Sequence, residues 1–312
     1  MSLPPPELRR GAEAEAAALP ALLLAAEHLA ATVQMGGHGR RRAGTGEDFW
    51  QYRPAHSGDA ARFVDWRRSA RSDTQFVRDR EWQLAQSLHL WVDGAASMRF
   101  TGAATGRQAR PEKLARAQLL ALGLAVLGIR AGERVGLTGP LAPPRPGKAQ
   151  LLTLATALCS ARAEELGGGA QDYGAPEVAT VAGGAQVVFL SDFFGDLGPV
   201  EAALGALADR GVRGAMLQVL DPSEEEFPFD GRTVFLSMTG ALSHETREAA
   251  DLRARYHARL AERRARLAAL AAQAGWAFST HHTGSPALGA LIWLHAALGG
   301  AAHGAPSGGG RR

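Results

Sequence analysis

Short apolar runs alternate with longer helical patterns through most of the chain, from about Gln75 onward. The short runs have the length of strands and are bounded by turn residues, whereas the longer segments repeat their apolar residues at helical spacing. Strands and helices that alternate in this way are typical of βαβ units around a parallel sheet. The pattern therefore predicts an α/β domain with a doubly wound, mostly parallel sheet.

Five apolar runs are the predicted strands of this sheet, at residues 88–92, 134–138, 186–191, 213–220 and 276–280. Five helices are predicted at residues 111–130, 149–161, 199–209, 245–274 and 286–298. Proline in the first turn of three of these helices, and glycine after two of them, fit these ends. An additional edge strand is predicted over residues 232–238, after the acidic run that begins at Glu224.

The segment before this alternation has a different character. Residues 12–34 carry Leu and Ala at helical spacing and predict one amphipathic helix, whereas residues 36–46 are rich in Gly and Arg and predict a flexible basic loop. We therefore divide the chain into an amino-terminal extension of helix, basic loop and irregular β structure (residues 1–84) and an α/β domain (residues 85–298). The small, glycine-rich tail (residues 299–312) is expected to be disordered.

The composition is that of a globular protein, with 46% hydrophobic and 21% charged residues in a chain of 312. The formal net charge is only +3, and the pI is high because Lys113 and Lys148 are the only lysines among 34 basic residues. Arginine titrates very late, so a small excess of it raises the pI strongly. The pI is therefore weak evidence for nucleic-acid binding.

Cysteine content and hydropathy indicate the compartment. The single Cys159 excludes an intramolecular disulfide framework and fits a reducing environment. Acidic residues such as Glu13 and Glu15 interrupt the first apolar stretch, so no signal-peptide core is present. No uninterrupted apolar segment reaches the roughly 18 residues that a membrane helix needs. We expect a cytoplasmic protein without a transmembrane segment.

Acidic and hydroxyl residues follow two of the predicted strands. Asp93 and Asp192 each end an apolar strand and lie beside hydroxyl residues, Ser97 and Ser191. Ligands of doubly wound sheets bind at the carboxyl ends of the strands, and a group of oxygen atoms suits a hard divalent cation. The alternative is that both aspartates cap neighbouring loops or helices by accepting backbone N–H bonds.

Motifs of known enzyme classes are absent. Gly147 and Lys148 lack the glycine spacing of a P-loop, and His244-Glu245 has no second histidine four residues later. No nucleophile elbow surrounds any serine. We therefore expect a protein that is not an enzyme.

Arginine and aromatic residues interleave between residues 40 and 80. Such a block can bind nucleic acid by contacts to phosphates and stacking on bases. Neighbouring acidic residues, among them Asp59 and Asp65, nearly balance the arginines and favour internal ion pairs. The block is equally suited to anchor the extension or to dock a protein through arginine and tryptophan.

Several of these segments resemble known families. The segment from Asp93 to Met98, which follows an apolar strand, resembles the Asp-x-Ser-x-Ser opening of von Willebrand factor A domains. Residues 58–71 resemble the signature of a bacterial family called domain of unknown function 58. The signature residues are Gly58, Asp59, Arg62, Asp65, Trp66, Arg67, Ser69 and Arg71. Residues 133–137, 191–193 and 221–229 are further similarities in the same order.

The resemblance implies a von Willebrand factor A-like domain with an amino-terminal extension, in proteins that accompany a MoxR-type AAA+ ATPase. The metal residues that it carries over are Asp93, Ser97 and Asp192, for Mg²⁺ or alternatively Mn²⁺ or Ca²⁺. The site departs from the full adhesion-site pattern, because Ala95 replaces the first serine and no threonine lies between Pro143 and Ala149. Only a partial metal site is therefore expected.

The function that follows is a non-enzymatic protein-interaction module, the partner of a MoxR-type ATPase in protein assembly or maturation. The alternative is a nucleic-acid-binding module that uses the Arg-rich amino-terminal block.

Overall fold

The computed structural model describes residues 6–33, 41–44, 48–54, 66–69, 76–83, 86–103, 106, 109–164 and 171–300. The helices are α1 (Pro6–Ala31), α2 (Trp66–Ser69), α3 (Lys113–Arg130), α4 (Ala149–Glu164), α5 (Gly198–Asp209), α6 (Pro222–Glu226), α7 (Ala250–Gln273) and α8 (Ala287–Gly300). The strands are β1 (Arg41–Gly44), β2 (Asp48–Pro54), β3 (Phe76–Gln83), β4 (Ser87–Val92), β5 (Arg134–Leu137), β6 (Gln186–Ser191), β7 (Arg213–Leu220), β8 (Thr233–Leu236), β9 (Ser243–Thr246) and β10 (Ala277–His282).

The chain forms two compact units, one made of residues 1–36 with 86–312 and the other of residues 37–85. Helix α1 belongs to the large unit, where it packs on α3 and α4 and buries Ala26 and Ala30. This grouping differs from the sequence-based division, which placed the helix in an extension ending at residue 84. Residues 301–312, most of the predicted disordered tail, lie outside the described residues.

A five-stranded sheet in the order β10-β7-β6-β4-β5 is the centre of the large unit. Every neighbouring pair of these strands runs parallel. The direction in which strands are added reverses between β4 and β6, as in other doubly wound sheets. The predicted fold class, a doubly wound, mostly parallel α/β sheet, is confirmed, and the arrangement is consistent with a von Willebrand factor A-like domain.

Each face of the sheet is covered by its own apolar core. On one face Val188 and Leu190 of β6 pack with α1, α3, α4 and α8. On the other face Val187 and Phe189 of the same strand pack with α5 and α7. A strand buried on both sides needs a continuous apolar run, which is why the strands were recognisable in the sequence. Within the described residues, no helix combines the length and apolar character needed to cross a membrane.

Gly214 in β7 allows a close approach of neighbouring groups inside the sheet. A Cβ atom at this position would lie 2.0 Å from the carbonyl oxygen of Val187 and 2.9 Å from the ring of Trp276. Both groups are buried, and the first is backbone. Any side chain larger than hydrogen would therefore displace β6 or the indole ring.

A strand is present at residues 233–236, within the predicted 232–238, but it does not extend the main sheet as the predicted edge strand would. Residues 233–236 form β8, which pairs antiparallel with β9 in a separate two-stranded sheet. Their side chains alternate, with Phe235 stacked on Phe227, which also packs on Tyr256 of α7, and Val234 exposed; this fits a ribbon with one covered face. Helix α7 consequently begins at Ala250 rather than at residue 245.

The small unit contains a three-stranded antiparallel sheet in the order β1-β3-β2. Its register shifts between Phe49 and Gln51, which agrees with the irregular β structure expected for this segment. Strand β1 lies inside residues 36–46, so the prediction of a loop through this whole stretch is wrong. Pairing with β3 supplies the backbone hydrogen bonds that the Gly- and Arg-rich sequence did not reveal.

Candidate functional site

Asp93 and Asp192 lie side by side at the carboxyl ends of β4 and β6. These two strands pair directly, with Val92 opposite Leu190, and the sheet reverses its winding between them. The aspartates that follow are 2% and 1% exposed. The structure thus places both carboxylates at the position where ligands of doubly wound sheets bind.

The Asp93 carboxylate is held by donors of its own chain. Its Oδ2 accepts a 2.6 Å hydrogen bond from the hydroxyl of Ser191, and its Oδ1 accepts one of 3.0 Å from the amide of Ala95. The backbone N–H of Gly174 also donates to it, and a Cβ at Gly174 would lie 2.3 Å from Oδ1. Burial raises the pKa of Asp93, and the charge of Asp192 adds to this effect.

The Asp192 carboxylate forms a buried ion pair with Lys113, the first residue of α3. The lysine Nζ lies 2.8 Å from Oδ2 of Asp192 and 2.6 Å from Oε1 of Glu224, and the Lys113 side chain is 1% exposed. The rings of Phe100 and Phe194 lie 5.7 and 5.1 Å from the same nitrogen. These three charged residues are called the buried triad below.

Electrostatics inside the buried triad favour the charged lysine. Burial alone would lower the pKa of Lys113, but the charges of Asp192 and Glu224 outweigh it and leave the pKa raised. Two carboxylates within hydrogen-bond distance stabilise the ammonium more than desolvation disfavours it. The ammonium group of Lys113 therefore supplies a positive charge at the carboxyl end of β6.

Glu224 connects the buried triad to a second set of polar contacts. Its Oε2 accepts from the amide of Asp221 at 2.9 Å, and this pair caps the short helix α6 reciprocally. Asp221, fully buried, in turn binds Arg110 through Nε and Nη2 at 3.0 and 3.1 Å. Burial opposes ionisation, yet Arg110 and Ser223 hold the pKa of Asp221 well below its usual range.

The residues at this position do not fit a resident divalent cation. Asp192 already neutralises the Lys113 ammonium, and both oxygens of Asp93 accept hydrogen bonds. A divalent ion needs several free oxygen ligands, whereas the carboxylate oxygens of Asp93 and Asp192 already have donors of their own chain. Ser97 Oγ is buried and has no partner among the described residues. The partial Mg²⁺ site of Asp93, Ser97 and Asp192 stays a prediction, and no step below depends on a metal.

A two-stranded hairpin (residues 233–246) lies at the same end of the sheet as these polar groups. Thr239 at its tip donates through N and Oγ1 to the carboxylate of Asp172, at 3.0 and 2.8 Å. Asp172 belongs to a loop of residues 171–174. Its backbone carbonyl accepts a hydrogen bond from the amide of Ser97, and Gly174 of the same loop donates to Asp93. One short loop therefore joins the hairpin to the aspartate at the strand end.

The hairpin exposes four large apolar side chains, of which Val234 and Leu236 lie on the outer face, opposite Phe235. Val234, Leu236, Met238 and Leu242 are 51%, 65%, 48% and 62% exposed. The inner face carries Phe235, which packs on Phe227 and Phe229. Apolar side chains grouped on a protruding element are characteristic of protein contact sites.

Few of the signature residues near the amino terminus fall in the described part. Gly58, Asp59, Arg62, Asp65 and Arg71 lie outside the described residues, while Trp66, Arg67 and Ser69 belong to α2.

Within this short helix the buried Ser69 hydroxyl accepts a 2.9 Å hydrogen bond from the amide of Phe76, at the start of β3. Arg67 is exposed. For Ser69, the observed contact is a structural one within its own unit.

Sequence reasoning identified the two aspartates but missed Lys113, Glu224 and Arg110. One signal for Lys113 was available, because lysine is rare in this chain and arginine common. A capping-box pattern, Asp221-Pro-Ser-Glu224, was the signal for the short helix that positions Glu224. Nothing local indicated that Arg110 would bind Asp221.

Comparisons with known proteins place this architecture in context. A family model described as "Protein of unknown function DUF58" matches residues 51–266, more than half of the chain. The crystal structure of conserved hypothetical protein BatB from Bacteroides thetaiotaomicron is 14% identical, with a TM-score of 0.35, over 68% of this chain and 97% of that chain. No curated protein sequence matches the chain.

Proposed function

Because the chain belongs to the DUF58 family, whose function is unknown, we propose that it is a non-enzymatic module that presents the strand-end edge of its α/β domain to a protein partner. The observation that carries this proposal is the exposed apolar surface of the hairpin. Four large side chains there are about half exposed or more. Burying such side chains drives most protein association.

The neighbouring polar groups support a binding role rather than a chemical one. Lys113 joins Asp192 and Glu224 in the buried triad, and Asp93 is held by Ser191 and backbone amides. Carboxylates with partners from their own chain serve as a rigid support for the loops around them, which is the role that this proposal gives them.

The partner in this proposal is a MoxR-type AAA+ ATPase, and the process is the assembly or maturation of other proteins. This identity rests on the family resemblance of residues 58–71 and 93–98. A cytoplasmic location belongs to the same proposal, since such an ATPase works there and the single Cys159 fits a reducing compartment. The nucleic-acid alternative rests on the Arg-rich block, about half of which lies outside the described residues.

Capture of a purified MoxR-type ATPase from the same genome tests the proposal. Tagged full-length protein is expected to retain the ATPase, and Leu236→Asp and Leu242→Asp are each expected to abolish retention. Leu152→Asp on α4 is the matched control, because Leu152 is 55% exposed on another element. The proposal fails if wild-type protein retains no ATPase with or without Mg²⁺ and ATP, or if the hairpin variants bind as the control does.

A further inference from the structure

Two arginines of α7 differ from the other arginines of that helix in having no partner among the residues that the structure describes. Arg253, Arg264 and Arg266 form ion pairs of 2.6 to 2.8 Å with acidic residues of the large unit. Arg255 and Arg259 are exposed and have neither an ion pair nor a hydrogen bond within the described part of the chain. Their positive charge is therefore available to a molecule outside this chain.

These two arginines border an apolar groove. Leu252, Arg255, Tyr256 and Arg259 lie on one face of α7, at positions three and four residues apart. Phe227, with Phe235 and His244 of the hairpin, forms the opposite wall, and the groove has a volume of about 440 Å³. Two guanidinium groups at the rim of an aromatic groove combine a carboxylate site with an apolar one.

The geometry points to an acidic peptide segment of another protein as the occupant: we propose that an aromatic or leucine side chain fills the groove while flanking carboxylates bind Arg255 and Arg259. Charge complementarity selects acidic flanks, since among the groove-lining side chains no carboxylate is present to satisfy the arginines. Residues 301–312 contain no Asp or Glu side chain, so they do not match these acidic flanks. An apolar anchor with charged flanks is the usual composition of a peptide contact.

This inference rests on the proposed function insofar as both place a protein at the strand-end edge, but it concerns the inner side of the hairpin rather than its outer face. The groove is therefore tested without the ATPase. The probe is a fluorescein-labelled synthetic peptide in which Glu alternates with Phe and Leu, titrated with full-length protein and followed by fluorescence anisotropy.

Arg255→Glu and Arg259→Glu are each expected to weaken binding of this peptide by about tenfold or more, because each removes a charge-assisted contact and adds repulsion. Arg130→Glu is the charge-matched control, because Arg130 is exposed at the carboxyl-terminal end of α3 and does not line the groove. This change should leave binding unchanged. The same peptide with Gln in place of Glu, or with Ala in place of Phe and Leu, should bind more weakly.

The inference is overturned if the acidic peptide does not bind, if all three variants bind it equally, or if the Gln peptide binds as well as the Glu peptide. It is also overturned if the free protein is a dimer that the Arg255→Glu change converts to a monomer, because a second copy would then fill the groove. Retention of the ATPase with no peptide binding removes this inference alone. Peptide binding without ATPase retention removes only the ATPase as partner.

Discussion

Replacing Lys113 by methionine should destabilise the protein strongly, because it leaves two carboxylates of the buried triad without their cation. Methionine nearly matches the lysine stem in volume, so little packing is lost. Asp192 is 1% exposed and Glu224 13%, so neither is fully hydrated when the ammonium is gone. Breaking one partner from a buried ion pair costs about 3–5 kcal/mol, and we expect Lys113→Met to fall in this range.

Urea unfolding followed by tryptophan fluorescence measures this loss, since Trp276 and Trp91 pack against Phe189 in the core. The folded-state pKa of Lys113 is raised, so the stability from its charge is complete below about pH 10.4 and is lost as the pH rises through the folded pKa. At neutral pH the full penalty should appear. It should shrink toward pH 4, because burial raises the pKa of Glu224 and this orphaned carboxylate can then take up a proton.

Lys148→Met is the matched control, because Lys148 is the only other lysine and is exposed. A surface change of this kind should alter the free energy of unfolding by no more than about 0.5 kcal/mol. The reasoning is refuted if Lys113→Met loses less than about 1 kcal/mol at pH 7, or if its loss is the same at pH 4 and pH 7.

Three further measurements test other parts of the large unit. Burial raises the pKa of Glu133 to about 7, so the free energy of unfolding should fall by about 3 kcal/mol as the pH rises from 4.5 through 7. Glu133→Gln should remove this pH dependence in urea unfolding. Parallel pH profiles for wild-type protein and the variant would contradict the prediction. Burial, helped by Arg116, lowers the pKa of His281 to about 4, and Arg116 Nη1 lies 2.8 Å from its Nε2. NMR should therefore show a neutral ring protonated at Nδ1 down to about pH 5, with stability lost as the pH falls from about 6.5 to 4, and a midpoint near 6.5 would disprove this. Gly214→Ala should lower the free energy of unfolding by about 1–3 kcal/mol, because its Cβ clashes with the carbonyl oxygen of Val187. Gly205→Ala, at an open helix position, should not lower it. Equal urea midpoints for the two variants would be the contrary result.

The main sheet could be predicted because burial on both faces leaves an unmistakable pattern. Residues 186–191 and 213–220 were predicted with the bounds that β6 and β7 have. Asp93 and Asp192 could be placed together because carboxyl ends of parallel strands meet at one edge. These inferences need only local pattern and the general geometry of parallel sheets.

The buried triad could not be predicted, because its members come from distant parts of the chain. Lys113 lies 79 residues from Asp192 and 111 from Glu224, and no periodicity connects them. The hairpin was missed for a different reason. Strand β9 consists of Ser243–Thr246 and has no apolar alternation, so its pairing with β8 had no signal in the sequence.

The loop of residues 171–174 has a mechanical consequence. Asp172 anchors the hairpin tip through Thr239, while Gly174, two residues later, donates to the Asp93 carboxylate. We therefore expect a displacement of the hairpin to reach the donors of Asp93 through this one loop, and by thermodynamic reciprocity a change at Asp93 to act back on the hairpin. A partner bound to the outer face of the hairpin would thus act on Asp93, at the end of β4, through the loop of residues 171–174.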